Sequence, residues 1–190
     1  MSIQPVELSK AYRLLQVGPT TMISSKYNGI EDVMAAAWVG IGGPGKVIAY
    51  IGKQAYTRQL IEKSGYFVVH IPVADQMETV LYVGEHSLAT MPDKNKHIPF
   101  FYQEGFDLPM VKGCAGYLIC KVIPHPENEK ELDLFLGETV AAWSDTRVFR
   151  DGHWHFDEAP EGLRTVHYVA GGQFYRIGKG TKFDHGPGKD

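Results

Sequence analysis

Thr57 sits among residues suited to binding an anion. It follows Lys53-Gln54-Ala55-Tyr56 and precedes Arg58, at the start of a helical pattern over residues 57–64. A helix N-terminus offers unpaired amides and the positive end of a dipole; a hydroxyl and two nearby cations complete a phosphomonoester site. The same pattern also describes a helix that Thr57 merely caps, with the cations in water. The residues leave both readings open.

Two other motifs carry less. Residues 40–45, Gly-Ile-Gly-Gly-Pro-Gly, spell the dinucleotide fingerprint GxGxxG, and with Lys46 they approach a P-loop. Both motifs work only when a helix starts right after the glycines. Lys46–Ile51 instead reads as a strand, and Val47 stands where a P-loop needs Ser or Thr for its magnesium, so the glycines form a hairpin turn. His153 and His155 would share one side of a strand and could grip a metal ion. Trp154 and Phe156 alternate with them as in an ordinary half-buried strand, and no further ligands fall at standard spacing, so no metal site is assigned. There is no GxSxG nucleophile motif.

Short strands and helices must position these residues. A helix opens the chain, with Leu8, Ala11, Tyr12, Leu14 and Leu15 as its apolar stripe and Gly18-Pro19 as its stop. A strand over 20–25 leads to a turn at Tyr27-Asn28-Gly29. Residues 33–41 are apolar without alternation, as in a strand covered on both faces, and their small side chains admit a close backbone or a flat ligand. A helix is the rival there, since alanine favours it. Helix 57–64 ends at Gly65, strand 66–71 is closed by Pro72, and Asp75 with Glu78 has capping-box spacing for a helix running to about Gly84. A polar loop crosses 92–96. Strands follow near 115–123, 132–143, 148–149, 153–156 and 166–169. This is a mainly β (α+β) barrel or sandwich rather than a βαβ alternation.

With 190 residues, 44% of them hydrophobic and 22% charged, the chain suits one domain with a core large enough to fold without metal or disulfide staples. Its net charge of -3 argues against nucleic acid as a partner. Cys114 and Cys120 lack a CxxC pattern; on one strand they would share a face, too far apart to bridge, and they read as reduced core thiols. No signal pattern opens the sequence and no apolar run is long enough for a bilayer, so no membrane contact and a cytoplasmic location are expected.

The order of certain segments resembles the flavin reductase-like family. They are Gly29-x-x-Asp32-Val33-Met34-Ala35-Ala36-Ala37-Trp38, Lys53-x-x-Tyr56-Thr57-Arg58, Gly65-Tyr66-Phe67-Val68-Val69 and Asp93-Lys94. The later Leu134-Phe135-Leu136-Gly137-Glu138 and His167-Tyr168-Val169-Ala170-Gly171-Gly172-Gln173-Phe174-Tyr175 resemble its flavoredoxin branch. The resemblance runs from about Val17 to Gly178. It implies a six-stranded FMN-binding split barrel over 1–178 and a homodimer with one FMN per subunit near the interface; the Gly-, Lys- and Asp-rich composition of 179–190 reads separately as a flexible tail. Met34, Ala35, Ala36, Ala37 and Trp38 would lie along the ring and ribityl, their backbone groups bonding the ring edge. Thr57 and Lys94 would contact the phosphate or its approach, Lys53 and Tyr56 would also bind the cofactor, and Phe174 would pack near it.

Two positions depart from the family pattern. Asp32 stands where relatives usually carry Asn, either beside the flavin or ending a turn into solvent. Leu132 stands where many relatives carry His, which puts in doubt any activity that used it. The function implied is an NAD(P)H-dependent flavin or acceptor reductase passing hydride or electrons through FMN. The alternatives are a flavoredoxin-like carrier serving a redox partner protein, and a non-redox ligand-binding barrel. Flavin chemistry needs no protein acid, base or nucleophile, so no catalytic residue is assigned.

Overall fold

The computed structural model describes residues 3–11 and 19–183. Asn28-Gly29 provides the first hairpin of the described chain. Both residues have positive φ (49° and 77°), as a two-residue type I′ turn requires, and they join β2 (Thr21–Tyr27) to β3 (Ile30–Ala36) with Tyr27 opposite Ile30. Ahead of them lie β1 (Ile3–Pro5) and the short helix α1 (Leu8–Ala11); the rest of the expected opening helix falls outside the described residues.

The apolar run 33–41 is not one doubly covered strand, nor a helix. The chain leaves β3 at Ala37-Trp38 and resumes as β4 (Val39–Gly43), so Ala36 pairs with Thr21 while Val39 pairs with Ala49. The missing alternation marks this break. Pro44-Gly45 then turns β4 into β5 (Lys46–Tyr50), which makes the glycine run a hairpin tip. Helix α2 (Tyr56–Ser64) ends at Gly65, whose φ of 73° lets its N–H reach the Ile61 carbonyl at 2.8 Å before β6 (Tyr66–Ile71) begins.

A 3₁₀ turn over Ala74–Gln76 leads into α3 (Met77–Glu85). The expected Asp75/Glu78 capping box does not form. The Gln76 side chain instead accepts the Val73 N–H at 3.3 Å, because the turn starts three residues earlier than the helix proper. A second 3₁₀ turn, Lys94–His97, precedes the small pair β7 (Phe100–Phe101) and β8 (Met110–Val111). Then come β9 (Gly116–Ile123), α4 (Pro126–Leu132) and the twelve-residue β10 (Leu134–Asp145). Two hairpins close the described chain: β11 (Phe149–Arg150) with β12 (His153–Trp154), and β13 (Val166–Ala170) with β14 (Gln173–Arg176).

The main sheet is antiparallel in the order β3-β2-β6-β9-β10-β5-β4, with β1 on the far half of β10. It has eight strands rather than six, because residues 30–43 break into two and β1 gives β10 a third partner. Alternation along the central strands separates two cores. Phe67, Val69, Leu118 and Cys120 join Ile61 of α2 in one; Val68, Tyr117, Ile119 and Cys114 join Val80 and Val83 of α3 in the other. The two cysteines are free and buried, and they lie in different cores, since Cys114 precedes β9 instead of sharing its face. Burial pushes each thiol up to about 12, which leaves both unreactive at neutral pH. No helix among the described residues is long and apolar enough to cross a membrane.

Candidate functional site

Helix α2 begins without a side-chain cap. Ala55 occupies the cap position in extended conformation (φ -71°, ψ 126°) and offers no oxygen to the first turn. The N–H groups of Tyr56 and Thr57 therefore have no intrahelical partner and stand at the positive end of the helix. Thr57 is not the cap: it is the second helical residue, fully buried, and its hydroxyl donates to Asp32 Oδ2 at 2.7 Å. Asp32, on β3, is itself buried, which excludes its turning into solvent. Its Oδ1 accepts from Lys94 Nζ at 2.9 Å, and Lys94 also donates to the Val33 carbonyl at 2.6 Å. Both members of this ion pair have side chains only 1% exposed.

Lys94 is held there by its neighbours. Asn95 Nδ2 bonds the Glu31 carbonyl at 2.6 Å, and Tyr82 of α3 donates to the Lys94 carbonyl at 3.1 Å. The 3₁₀ turn is thereby fixed along the outer edge of β3, the terminal strand of the sheet. Glu31 and Val33 present their carbonyls to that edge, so Ala35, two residues on, presents its N–H and C=O to it as well.

Around Ala35 two cavities meet. The polar one, about 280 Å³, is lined by Asp32, Met34, Gln54, Tyr56, Thr57, Lys94, His86 and Ser87. The apolar one, about 270 Å³, is lined by Thr20, Ala37, Val80, Leu81, Tyr168 and Phe174. Ala35, Gly84 and Glu85 border both. Gly84 allows the close passage of α3 over β3, since a Cβ there would lie 3.2 Å from that of Ala35. In the polar cavity His86 stacks on Tyr82, rings 4.6 Å apart, and its Nδ1 lies 2.9 Å from the Tyr82 carbonyl. In the apolar cavity Tyr168 and Phe174 are 5.1 Å apart on the β13–β14 hairpin, which Thr20 anchors by accepting the Tyr168 N–H at 2.7 Å.

Of the residues expected at the site, Met34, Ala35, Tyr56, Thr57 and Lys94 come together in the polar cavity, and Ala35, Ala37 and Phe174 in the apolar one. Three do not reach either lining. Ala36 points into the core, as alternation along β3 dictates, and its carbonyl accepts the Thr21 hydroxyl at 2.5 Å. Trp38, past the break in the strand, is 74% exposed and meets Tyr50 edge to face at 6.3 Å. Lys53 is exposed in the turn before α2. Arg58, the other cation beside Thr57, faces elsewhere: its guanidinium bonds the Ile51 carbonyl at 2.8 Å, the Glu129 carbonyl at 2.7 Å and the carboxylates of Glu62 and Asp133. Leu132 ends α4, 57% exposed, and lines neither cavity. His153 is exposed on a two-residue strand, while His155 Nδ1 sits 3.8 Å from Glu158; among the described residues no group of three or more His, Cys, Asp or Glu could hold a metal ion.

Sequence reasoning missed the wall formed by Gly84, Glu85, His86 and Ser87, and the role of Tyr168. The α3 residues carry no local sign of it, for only the packing of α3 on β3 brings them there. Tyr168, three residues before a Gly-Gly turn and six before Phe174, was open to being placed opposite it on a hairpin.

A mostly antiparallel split barrel, with a ligand-sized pair of cavities at the edge of its terminal strand, defines the class of protein. The flavin reductase like domain model matches residues 17–163, and the chain belongs to the flavin reductase-like family. It is 35% identical to the protein YddH of Escherichia coli K12 over 182 residues, 92% of this chain and 95% of that one. It is also similar to the crystal structure of an FMN-binding domain of a flavin reductases-like enzyme from Shewanella baltica OS155. The TM-score there is 0.94 and the identity 45%, with 96% of this chain and 98% of that one covered. Flavoredoxin from Methanosarcina acetivorans shares the fold at TM-score 0.70 and 22% identity, with 90% of each chain covered.

Proposed function

We propose that the paired cavities hold FMN and that the protein is an NAD(P)H-dependent flavin or acceptor reductase. One observation carries this reading: a polar cavity at an uncapped helix start and an apolar, aromatic-lined cavity meet at Ala35, on the free edge of the sheet. The phosphate end of FMN suits the amides of Tyr56 and Thr57, where the helix dipole favours an anion. The flat ring suits the apolar cavity, with Tyr168 and Phe174 at one side and the Ala35 backbone at its polar edge. Binding of FMN by the Shewanella baltica domain supports the same assignment.

When bound, FMN supplies a ring able to accept hydride from a nicotinamide. The residues of this chain bind and orient it. Ala35 can bond the ring edge through its backbone, Val80 and Phe174 exclude water from it, and Gly84 leaves open the passage between phosphate and ring. Chromatography of the flavin released on denaturation should give FMN, and anaerobic NADH or NADPH should bleach the flavin band. Bound FMN that neither nucleotide reduces would favour a carrier serving a redox partner protein. No flavin uptake would favour a non-redox barrel.

The assembly we propose is a homodimer. Trp38, Tyr50 and Ile41 leave large apolar side chains exposed at the β4–β5 end of the sheet, a surface that suits a second copy. Light scattering should give twice the chain mass of 21.2 kDa, and a monomer at micromolar concentration would refute this. Two buried free thiols suit a reducing compartment, and we place the protein in the cytoplasm.

A further inference from the structure

Asp32 commits Thr57 and Lys94, two of the side chains in the polar cavity that a phosphate could use. A threonine hydroxyl has one proton to give, and that of Thr57 goes to Asp32 Oδ2 at 2.7 Å. A lysine ammonium has three, and Lys94 gives two of them to Asp32 Oδ1 and the Val33 carbonyl. The ammonium charge is balanced at 2.9 Å by a carboxylate as deeply buried as itself. Glu85 adds a second carboxylate to the lining against the single ammonium. Thr57 and Lys94 therefore add little for a phosphate dianion beyond what the amides of Tyr56 and Thr57 offer.

We propose that Asp32 sets the selectivity of the cavity for the phosphate group, holding Thr57 and Lys94 so that a flavin without phosphate binds almost as well as one with it. The inference rests on FMN occupying these cavities. Replacing Asp32 by Asn keeps an acceptor for Lys94, removes the opposing charge, and frees the Thr57 hydroxyl to turn into the cavity as its amide donates instead.

Fluorescence titrations with FMN and with riboflavin, which differ only in the phosphate, test it. In the wild type the two dissociation constants should differ by less than about tenfold, the worth of one modest hydrogen bond. In Asp32→Asn the preference for FMN should widen by at least about tenfold, as expected when a donor to a charged acceptor is released. The charge-balanced double variant Asp32→Asn/Lys94→Met should bring the ratio back toward the wild-type value, because the buried pair leaves together. An unchanged or narrower ratio in Asp32→Asn overturns the proposal. If that variant does not fold, the wild-type ratio still decides: an FMN preference well above about tenfold overturns the proposal equally, since Thr57 or Lys94 would then hold the phosphate directly. Failure of the underlying FMN reading looks different: neither flavin binds the wild type.

Discussion

Acidification tests whether the core holds His70 as tightly as the structure shows. His70 lies on β6 with no exposed surface, its Nδ1 3.1 Å from the Met22 carbonyl and its ring edge-on to Tyr117 at 5.6 Å. Burial lowers its pKa from 6.5 to about 4. The unfolded chain therefore binds this proton more readily than the folded one between those values, and stability falls as pH drops below 6.5. Integrating the two titrations between pH 7 and pH 5 gives a loss of about 2 kcal/mol, at 1.36 kcal/mol per pKa unit. That is a large share of the roughly 5–15 kcal/mol typical of a domain. Asp145, lowered by its bonds to Arg147 despite burial, loses its contribution only below the ordinary carboxylate value of 3.8 and does not compete in this window. Urea unfolding at pH 7 and pH 5 should show the loss in wild type and not in His70→Gln, whose amide can still donate to Met22. Equal losses in the two proteins would refute the reasoning.

Two further perturbations address the site. Lys94→Ala strands Asp32 as a buried unpaired charge and should cost about 3–5 kcal/mol in chemical denaturation, whereas Asp32→Asn/Lys94→Met should cost markedly less; additive single effects in that cycle would mean the pair is not coupled. Gly84→Val should cost about 1–3 kcal/mol of stability, since its Cβ crowds that of Ala35, and weaken flavin binding by at least about tenfold, its branched side chain filling the passage. Flavin titration with unchanged affinity would place the ligand elsewhere.

Local chemistry made much of the fold legible. Asn28-Gly29 forces a tight hairpin, Gly65 ends α2 in the left-handed region, and the β-branched residues of β6 carry the strand to the residue predicted. Helix α4 escaped because Pro126–Leu132 buries nothing, which erases the apolar stripe that betrays other helices, although its proline and early acidic residues are start signals. The site was legible only where it is local. Thr57 could be placed at a helix start from its own neighbours. Burial of Lys94 in a polar loop, and its pairing with Asp32 sixty-two residues away, depend on how α3 and the 3₁₀ turn pack against β3. No pattern of residue types near either one encodes that. The alanines at 35–37 suggested a close approach to a flat ligand, and Ala35 and Ala37 do line the cavities. The two-residue period that sends Ala36 into the core was hidden by the uniform small side chains.

A crystal structure of the protein grown with FMN tests the central claim most directly. The account predicts the phosphate within hydrogen-bonding distance of the Tyr56 and Thr57 amides, and the ring against Tyr168 and Phe174 with its polar edge at the Ala35 backbone. Flavin density outside these two cavities, or a phosphate remote from the start of α2, would contradict it.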